Sequence, residues 1–269
     1  MAASTAARSG FYRRTLEKLL ARGDIARNMS VLVVAGGTED RDALLSAGFE
    51  NVTVSNIDDE AADAFAPYAW SRQDAERLEY PDESFDFAIV SAGLHHCASP
   101  HAALLEMYRV ARSGLLAIES RDSFLIRLAI RLGVLEEYEL TAVYANDLAA
   151  GGVRNSPVPN YVYRWTEREL EKTIASYAPY ARPRVRFFHE FELPSSVLDF
   201  RRSRMLARTL RALGPVASGL ARVFPSQANL FAFAVLKPQL PGELFPWLRQ
   251  DGDRVLPDET WLRSHLRGR

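Results

Sequence analysis

Two adjacent histidines, His95 and His96, follow an apolar run that ends in Ser91-Ala92-Gly93. An imidazole near its ordinary pKa of about 6.5 suits a general base for a hydroxyl. A second group is the turn Ala35-Gly36-Gly37-Thr38-Glu39, which follows the apolar residues 31–34. Glycine leaves no Cβ in the way, so polar ligand atoms can approach the backbone there and at the mouth of a following helix. About 20 positions on lie Asn56 and Asp58, then Asp74-Ala75, and further on Glu119-Ser120-Arg121. A glycine turn with polar groups at the next strand ends can hold a nucleoside with a charged tail. Asn56 or Asp58 would take ribose hydroxyls, and Asp74 would accept from an exocyclic amino group. His95, His96 and Cys97 are consecutive, which does not match zinc-ligand spacing, so no metal site is expected.

These residues fall at the ends of strands that hydrophobic patterning predicts. Strands are expected at 31–34, 52–55, 85–91, 115–118, 184–192 and 230–236. Helices are expected at 11–22, 41–47, 61–70 (interrupted near Pro67), 100–111 and 122–132. Another runs from an N-cap at Thr166, with Glu169 completing a capping box, to about 176. Gly114 is read as closing a turn before its strand. The alternation predicts a doubly wound, Rossmann-like α/β fold: a mostly parallel, seven-stranded sheet with helices on both faces and a helical insertion between the last two strands. In a sheet of this kind ligands sit beyond the carboxyl ends of the strands, where the candidate residues cluster.

The chain has 269 residues, 48% of them hydrophobic, and a net charge of −1. That composition suits a globular protein with a real core and gives no global pull toward nucleic acid. The single cysteine fits a reducing compartment. No apolar run reaches the length of a membrane span, and no secretory signal opens the chain. These features point to a cytoplasmic protein. Residues 1–10 are read as a disordered start.

The run from Val31 to about Ser120 resembles the core of class I S-adenosylmethionine-dependent methyltransferases, in a small-molecule type. The segment Asp74-Ala75-Glu76-Arg77-Leu78, with Tyr80-Pro81-Asp82-Glu83-Ser84-Phe85-Asp86-Phe87, is similar to the family's D-A-x-x-L-P-F-x-D-x-S-F-D stretch. Ala92-Gly93-Leu94-His95-His96, Leu105-Glu106-Met107-Tyr108-Arg109-Val110 and Gly114 follow the family's order. The resemblance implies S-adenosylmethionine as cofactor. Ala35, Gly36 and Gly37 would line its methionine part, Asn56 would stand at the ribose, Asp74 and Ala75 at the adenine, and Ser91 at the sulfonium. Asp86 would be structural. The first loop departs from the family's D-x-G-x-G-x-G, with Val33, Ala35 and Glu39 in place of the acid and two glycines. Asp58 could supply the carboxylate that Asn56 lacks, and Glu39 could meet the cofactor's ammonium group. Two alternatives stand beside this reading. One is a degenerate fold with weak or no cofactor binding, acting as a binding or structural module. The other is a nicotinamide-dependent oxidoreductase, which lacks support because no G-x-G-x-x-G and no Tyr-x-x-x-Lys occur.

The expected organisation is an N-terminal segment and cap helix (1–30), a methyltransferase core (31–194), a helical insertion or lid (195–226), the last core strand (227–240) and a tail (241–269). Substrate selection is expected from the parts outside the core. The loop 149–163 carries Asn155, Asn160, Tyr161 and Tyr163, followed by Arg164 and Trp165. That mix suits a polar small molecule such as a sugar or a natural-product intermediate. The insertion carries Arg201, Arg202, Arg204, Arg208, Arg211 and Arg222 among leucines. It reads first as a solvated helical face packed on the sheet, with a lid over an anionic substrate or peripheral membrane contact through 195–224 as alternatives.

Overall fold

The computed structural model describes residues 2–58, 62–191, 219, 223–252 and 254–266. Seven strands form one sheet: β1 (Ser30–Val33), β2 (Asn51–Asn56), β3 (Ala69–Arg72), β4 (Phe85–Ser91), β5 (Ala111–Ser120), β6 (Arg184–Glu190) and β7 (Leu230–Leu236). Their order is β3-β2-β1-β4-β5-β7-β6. The first five pair in parallel, whereas β7 runs antiparallel to both β5 and β6. The chain reverses direction across the sheet between β1 and β4, which opens a crevice at their carboxyl ends.

Period-two alternation builds the two cores. Val31 and Val33 of β1, Phe87 and Ile89 of β4, and Ala232 and Ala234 of β7 point to one face. Leu32, Val34, Ala88, Val90, Phe231, Phe233 and Val235 point to the other. Helices α1 (Ala2–Ala21) and α2 (Thr38–Ala47) cover the first face through Phe11, Leu16, Leu19 and Leu44. Helices α3 (Pro100–Val110) and α6 (Glu167–Tyr177) cover the second through Leu104, Met107, Leu170 and Ile174. Between β5 and α6 lie α4 (Phe124–Arg131) and α5 (Leu140–Ala145). The chain ends in the hairpin β8 (Leu248–Asp251) and β9 (Arg254–Pro257) and in helix α7 (Glu259–Leu266). Stacking of Phe245 on Trp247 (4.4 Å between ring centroids) and of Trp261 on His265 (4.0 Å) packs this tail. Among the described residues no helix is long and apolar enough to cross a membrane.

Several local expectations need correction. Residues 2–10 are not irregular: α1 begins at Ala2, because the alanines there are the strongest helix formers. The stretch expected as one helix at 61–70 is a single 3-10 turn (Ala62–Phe65) followed by β3. Pro67 cannot continue a helix, and the aromatics Tyr68 and Trp70 suit a pleated surface. β5 is longer than expected and abuts α3 directly. Gly114 lies inside it, at φ +152, where a Cβ would stand 2.2 Å from the Val235 carbonyl oxygen of β7. Thr166 does cap α6 by accepting from the Glu169 amide. The Glu169 carboxylate turns instead to His101 and Tyr163, so only half of a capping box forms. The helical insertion at 195–226, with all six of its named arginines, lies outside the described residues except for 219 and 223–226, the last of which enter the turn Pro225–Gln227.

Candidate functional site

A cavity of about 240 Å³ opens at the carboxyl ends of β1, β2 and β4. Its walls include Ala35, Asn56, Asp58, Asp74, Ala75 and His96 of the expected residues, together with Gln73, Glu76, Gly93 and Cys97. Gly36, Gly37, Glu39, Ser91 and His95 do not line it. The backbone explains part of this arrangement. Ala35 and Ala92 both sit in the left-handed region, at φ +50 and +55, and turn the chain sharply as it leaves β1 and β4. A Cβ on Gly93 would stand 2.7 Å from that of Ala35, so the two turns approach closely only because Gly93 has none. Gly36 is held for a different reason: a Cβ there would meet Val33 and Val54 at 2.5 and 2.9 Å. Gly37 starts α2, and its amide donates to the Asp40 carboxylate at 2.9 Å. Glu39 is exposed on the first turn of α2.

Asn56 is committed to the loop. Its Nδ2 donates to the Gly36 carbonyl at 3.1 Å and its Oδ1 accepts from the Ile57 amide at 2.7 Å. Two of the three carboxylates on the cavity wall accept from one loop of the chain. Asp58 takes a hydrogen bond from Asn155 Nδ2 at 2.7 Å, and Asp74 pairs with the Arg154 guanidinium. Arg154 also lies 3.4 Å from Glu76, which is fixed by the Ser99 amide at 2.8 Å. Arg154 and Asn155, at φ +51 and +54, form the tip of this strap over the cavity. Expected as substrate contacts, Asn160 and Trp165 are instead buried. Trp165 packs against His101, Tyr163 and Phe233 in the core, and Asn160 donates to the His95 carbonyl at 3.0 Å. Asp86 is structural, accepting from the Ser30 amide and hydroxyl at 2.9 Å and so tying β4 to β1.

The two histidines separate by burial. His95 is 6% exposed, and its Nδ1 lies 2.8 Å from Glu119, whose side chain is fully buried at the end of β5. The other Glu119 oxygen accepts from the Leu94 amide at 2.8 Å, which fixes the turn. Glu139 approaches from the segment before α5, 3.5 Å from His95 Nε2 and 3.6 Å from His96 Nε2. Burial disfavours a charged His95, but Glu119 and Glu139 outweigh it and push its pKa to about 9. Burial and the neighbouring His95 hold His96 below its ordinary value. Glu139, although half-buried, is drawn down to about 2 by His95. Burial pushes the Cys97 thiol up to about 12, so it is not an activated nucleophile. Glu119 was visible in the sequence as a strand-end residue. Glu139 and Arg154 were not singled out, because nothing local to them shows which strand end they reach.

The strand order and the crevice define a class: the Rossmann-like fold of class I S-adenosylmethionine-dependent methyltransferases. Comparison bears this out. Residues 32–118 match the family model described as a methyltransferase domain. The chain is 30% identical over 118 residues to the ubiquinone/menaquinone biosynthesis C-methyltransferase UbiE of Xanthomonas campestris pv. campestris, across 39% of this chain and 47% of the relative. The protein of the same name from Xanthomonas axonopodis pv. citri gives the same figures. The chain thus spans about half the length of the curated relatives it matches. Among solved structures, magnesium protoporphyrin IX methyltransferase from Synechocystis with bound S-adenosylhomocysteine aligns with TM-score 0.51 at 12% identity, over 86% of this chain and 83% of the other. The YcgJ protein of Bacillus subtilis aligns with TM-score 0.51 at 15% identity, over 84% and 99%. At these identities the likeness is one of fold.

Proposed function

We propose that the protein is an S-adenosylmethionine-dependent methyltransferase acting on a small polar molecule, at a hydroxyl of a sugar or natural-product intermediate. The observation that carries this reading is the convergence of Asp58 and Asp74 on one cavity at the crevice of a methyltransferase-family sheet. The residues present fit the cofactor. Both carboxylates already accept from donors of the chain itself, and ribose hydroxyls and an adenine amino group are donors of the same kind. Asp74 and Ala75 would hold the purine, and Asp58 the ribose, with Asn56 fixing the loop beneath. The backbone of Ala35, Gly36 and Gly37 would follow the methionine part. Glu39 and Ser91, set back from the cavity wall, would bear on the cofactor only through the turns they belong to.

Bound there, S-adenosylmethionine supplies an electrophilic methyl group on a sulfonium leaving group. The chain's task is then to orient the acceptor and exclude water. His96, on the cavity wall, is the histidine able to touch an acceptor. His95, buried between Glu119 and Glu139, positions it. The polar groups Gln73, Glu76 and Asn155 around the same cavity support a hydrophilic acceptor.

One observation favours the second reading, a fold that has lost its ligand. Arg154 and Asn155 occupy the two carboxylates, and the cavity is smaller than the roughly 300–1,000 Å³ usual for ligand sites. Thermal unfolding separates the readings. S-adenosylhomocysteine at saturation raises the unfolding midpoint by mass action, about 2.7 kcal/mol at a hundredfold excess over Kd. Asp74→Ala removes the rise. No rise at millimolar ligand, in the wild type or in Arg154→Ala, establishes the degenerate fold. A rise with NADH instead would point to the oxidoreductase.

A further inference from the structure

We infer that His95, His96 and Glu139 form a mononuclear site for a divalent transition metal at the wall of the cavity. The three side chains bring one ligand atom each to within 4.8 Å of one another. The separations of 3.5 and 3.6 Å from Glu139 to the two Nε2 atoms exceed an N–H···O hydrogen bond of about 2.7–3.2 Å. They match the gap of roughly 3.4 Å between neighbouring ligands on a tetrahedral ion bound at about 2.0–2.1 Å. A second set of contacts orients the ligands. His95 Nδ1 faces the buried Glu119 carboxylate at 2.8 Å, so Nε2 is the nitrogen left to coordinate once the ion displaces its proton. Asn160 Nδ2 donates to Glu139 at 3.2 Å and to the His95 carbonyl, tying both to one place.

Two imidazoles and one carboxylate suit zinc, cobalt(II) or iron(II), and not magnesium or calcium, which favour all-oxygen cages. Three protein ligands leave a position open, the pattern of catalytic sites. His96 carries the site to the cavity wall, so an ion there would meet the acceptor's oxygen and polarise it. This last consequence rests on the methyltransferase reading. The site itself does not. The sequence argued against a metal because the two histidines and Cys97 are consecutive. The third ligand is Glu139, more than 40 positions further on, and Cys97 donates toward the Gly93 carbonyl instead.

Cobalt(II) titration of the untagged, chelator-stripped full chain tests the site by its visible ligand-field bands. The expected result is saturation at one cobalt per chain, with intense bands of low coordination number that zinc abolishes by displacement. Glu139→Ala and His96→Ala, at partly exposed positions, weaken cobalt binding about tenfold or more, and Glu119→Gln weakens it about 10–100-fold. Absence of bands in the wild type overturns the proposal whatever the variants do. So do bands that persist unchanged in both Glu139→Ala and His96→Ala. Cobalt binding without any response to S-adenosylhomocysteine would leave the metal site standing and bring down the methyltransferase reading alone.

Discussion

At φ +50, Ala35 carries a Cβ in a conformation that costs an L-residue roughly 1–2 kcal/mol. The family pattern has glycine at this position, and the backbone of the turn still asks for one. Ala35→Gly is expected to stabilise the fold by about 1 kcal/mol after the glycine's greater unfolded-state entropy is set against the relieved strain. Denaturant unfolding reads the change, and a loss of stability would mean that the Ala35 methyl packs better than its backbone suggests. Asp40, in the first turn of α2, gives stability a pH dependence. Burial raises its pKa from 3.8 to about 6, against the Gly37 amide, which lowers it. The folded state therefore holds this proton more tightly than the unfolded one. Stability from this group is full below about pH 4 and falls as pH rises through 6, by up to about 3 kcal/mol. Asp40→Asn keeps an acceptor for the Gly37 amide and removes that fall. Parallel pH–stability curves for the two proteins would contradict the assignment.

Among the elements, the strap at 151–159 matters most. Its two donors, on Arg154 and Asn155, satisfy the carboxylates that a nucleoside would otherwise satisfy. A ligand must displace them, so their pairing subtracts from its affinity. Arg154→Ala is expected to tighten S-adenosylhomocysteine binding about tenfold, or roughly 1.4 kcal/mol, by calorimetric titration. Weaker binding in the variant would show that Arg154 holds the ligand instead of competing with it. The strap's composition, with Gly151-Gly152 and two prolines, read as a loop that is either functional or mobile. It could not show which carboxylates the tip reaches, because those partners lie 80 and 97 positions away in the chain.

Across the whole molecule, what was legible followed from periodicity. β4 and β7 read directly as apolar runs, and their alternating residues divide between the two faces as a sheet covered on both sides requires. β3 was missed because Ala69-Trp70-Ser71-Arg72 is short and half-exposed at the sheet edge, with little apolar signal. Of the site, the residues at the ends of β1, β2 and β4 were readable because the fold places strand ends together. Glu139 was not, since its role depends on how α4 and α5 return the chain. Trp165 was misplaced for a related reason: a polar, aromatic loop conceals that its last ring enters the second core. Trp165→Ala is expected to cost about 3–5 kcal/mol, a value typical of a fully buried ring and far above that of a surface aromatic. An effect under 1 kcal/mol would place the ring at the surface.

A crystal structure of the protein grown with millimolar S-adenosylhomocysteine tests the central claim most directly. The account predicts density for the adenine against Asp74 and for the ribose against Asp58, with the Arg154 and Asn155 side chains moved off both carboxylates. Arg154 still paired with Asp74, and the nucleoside absent from the crevice or bound elsewhere, would contradict it.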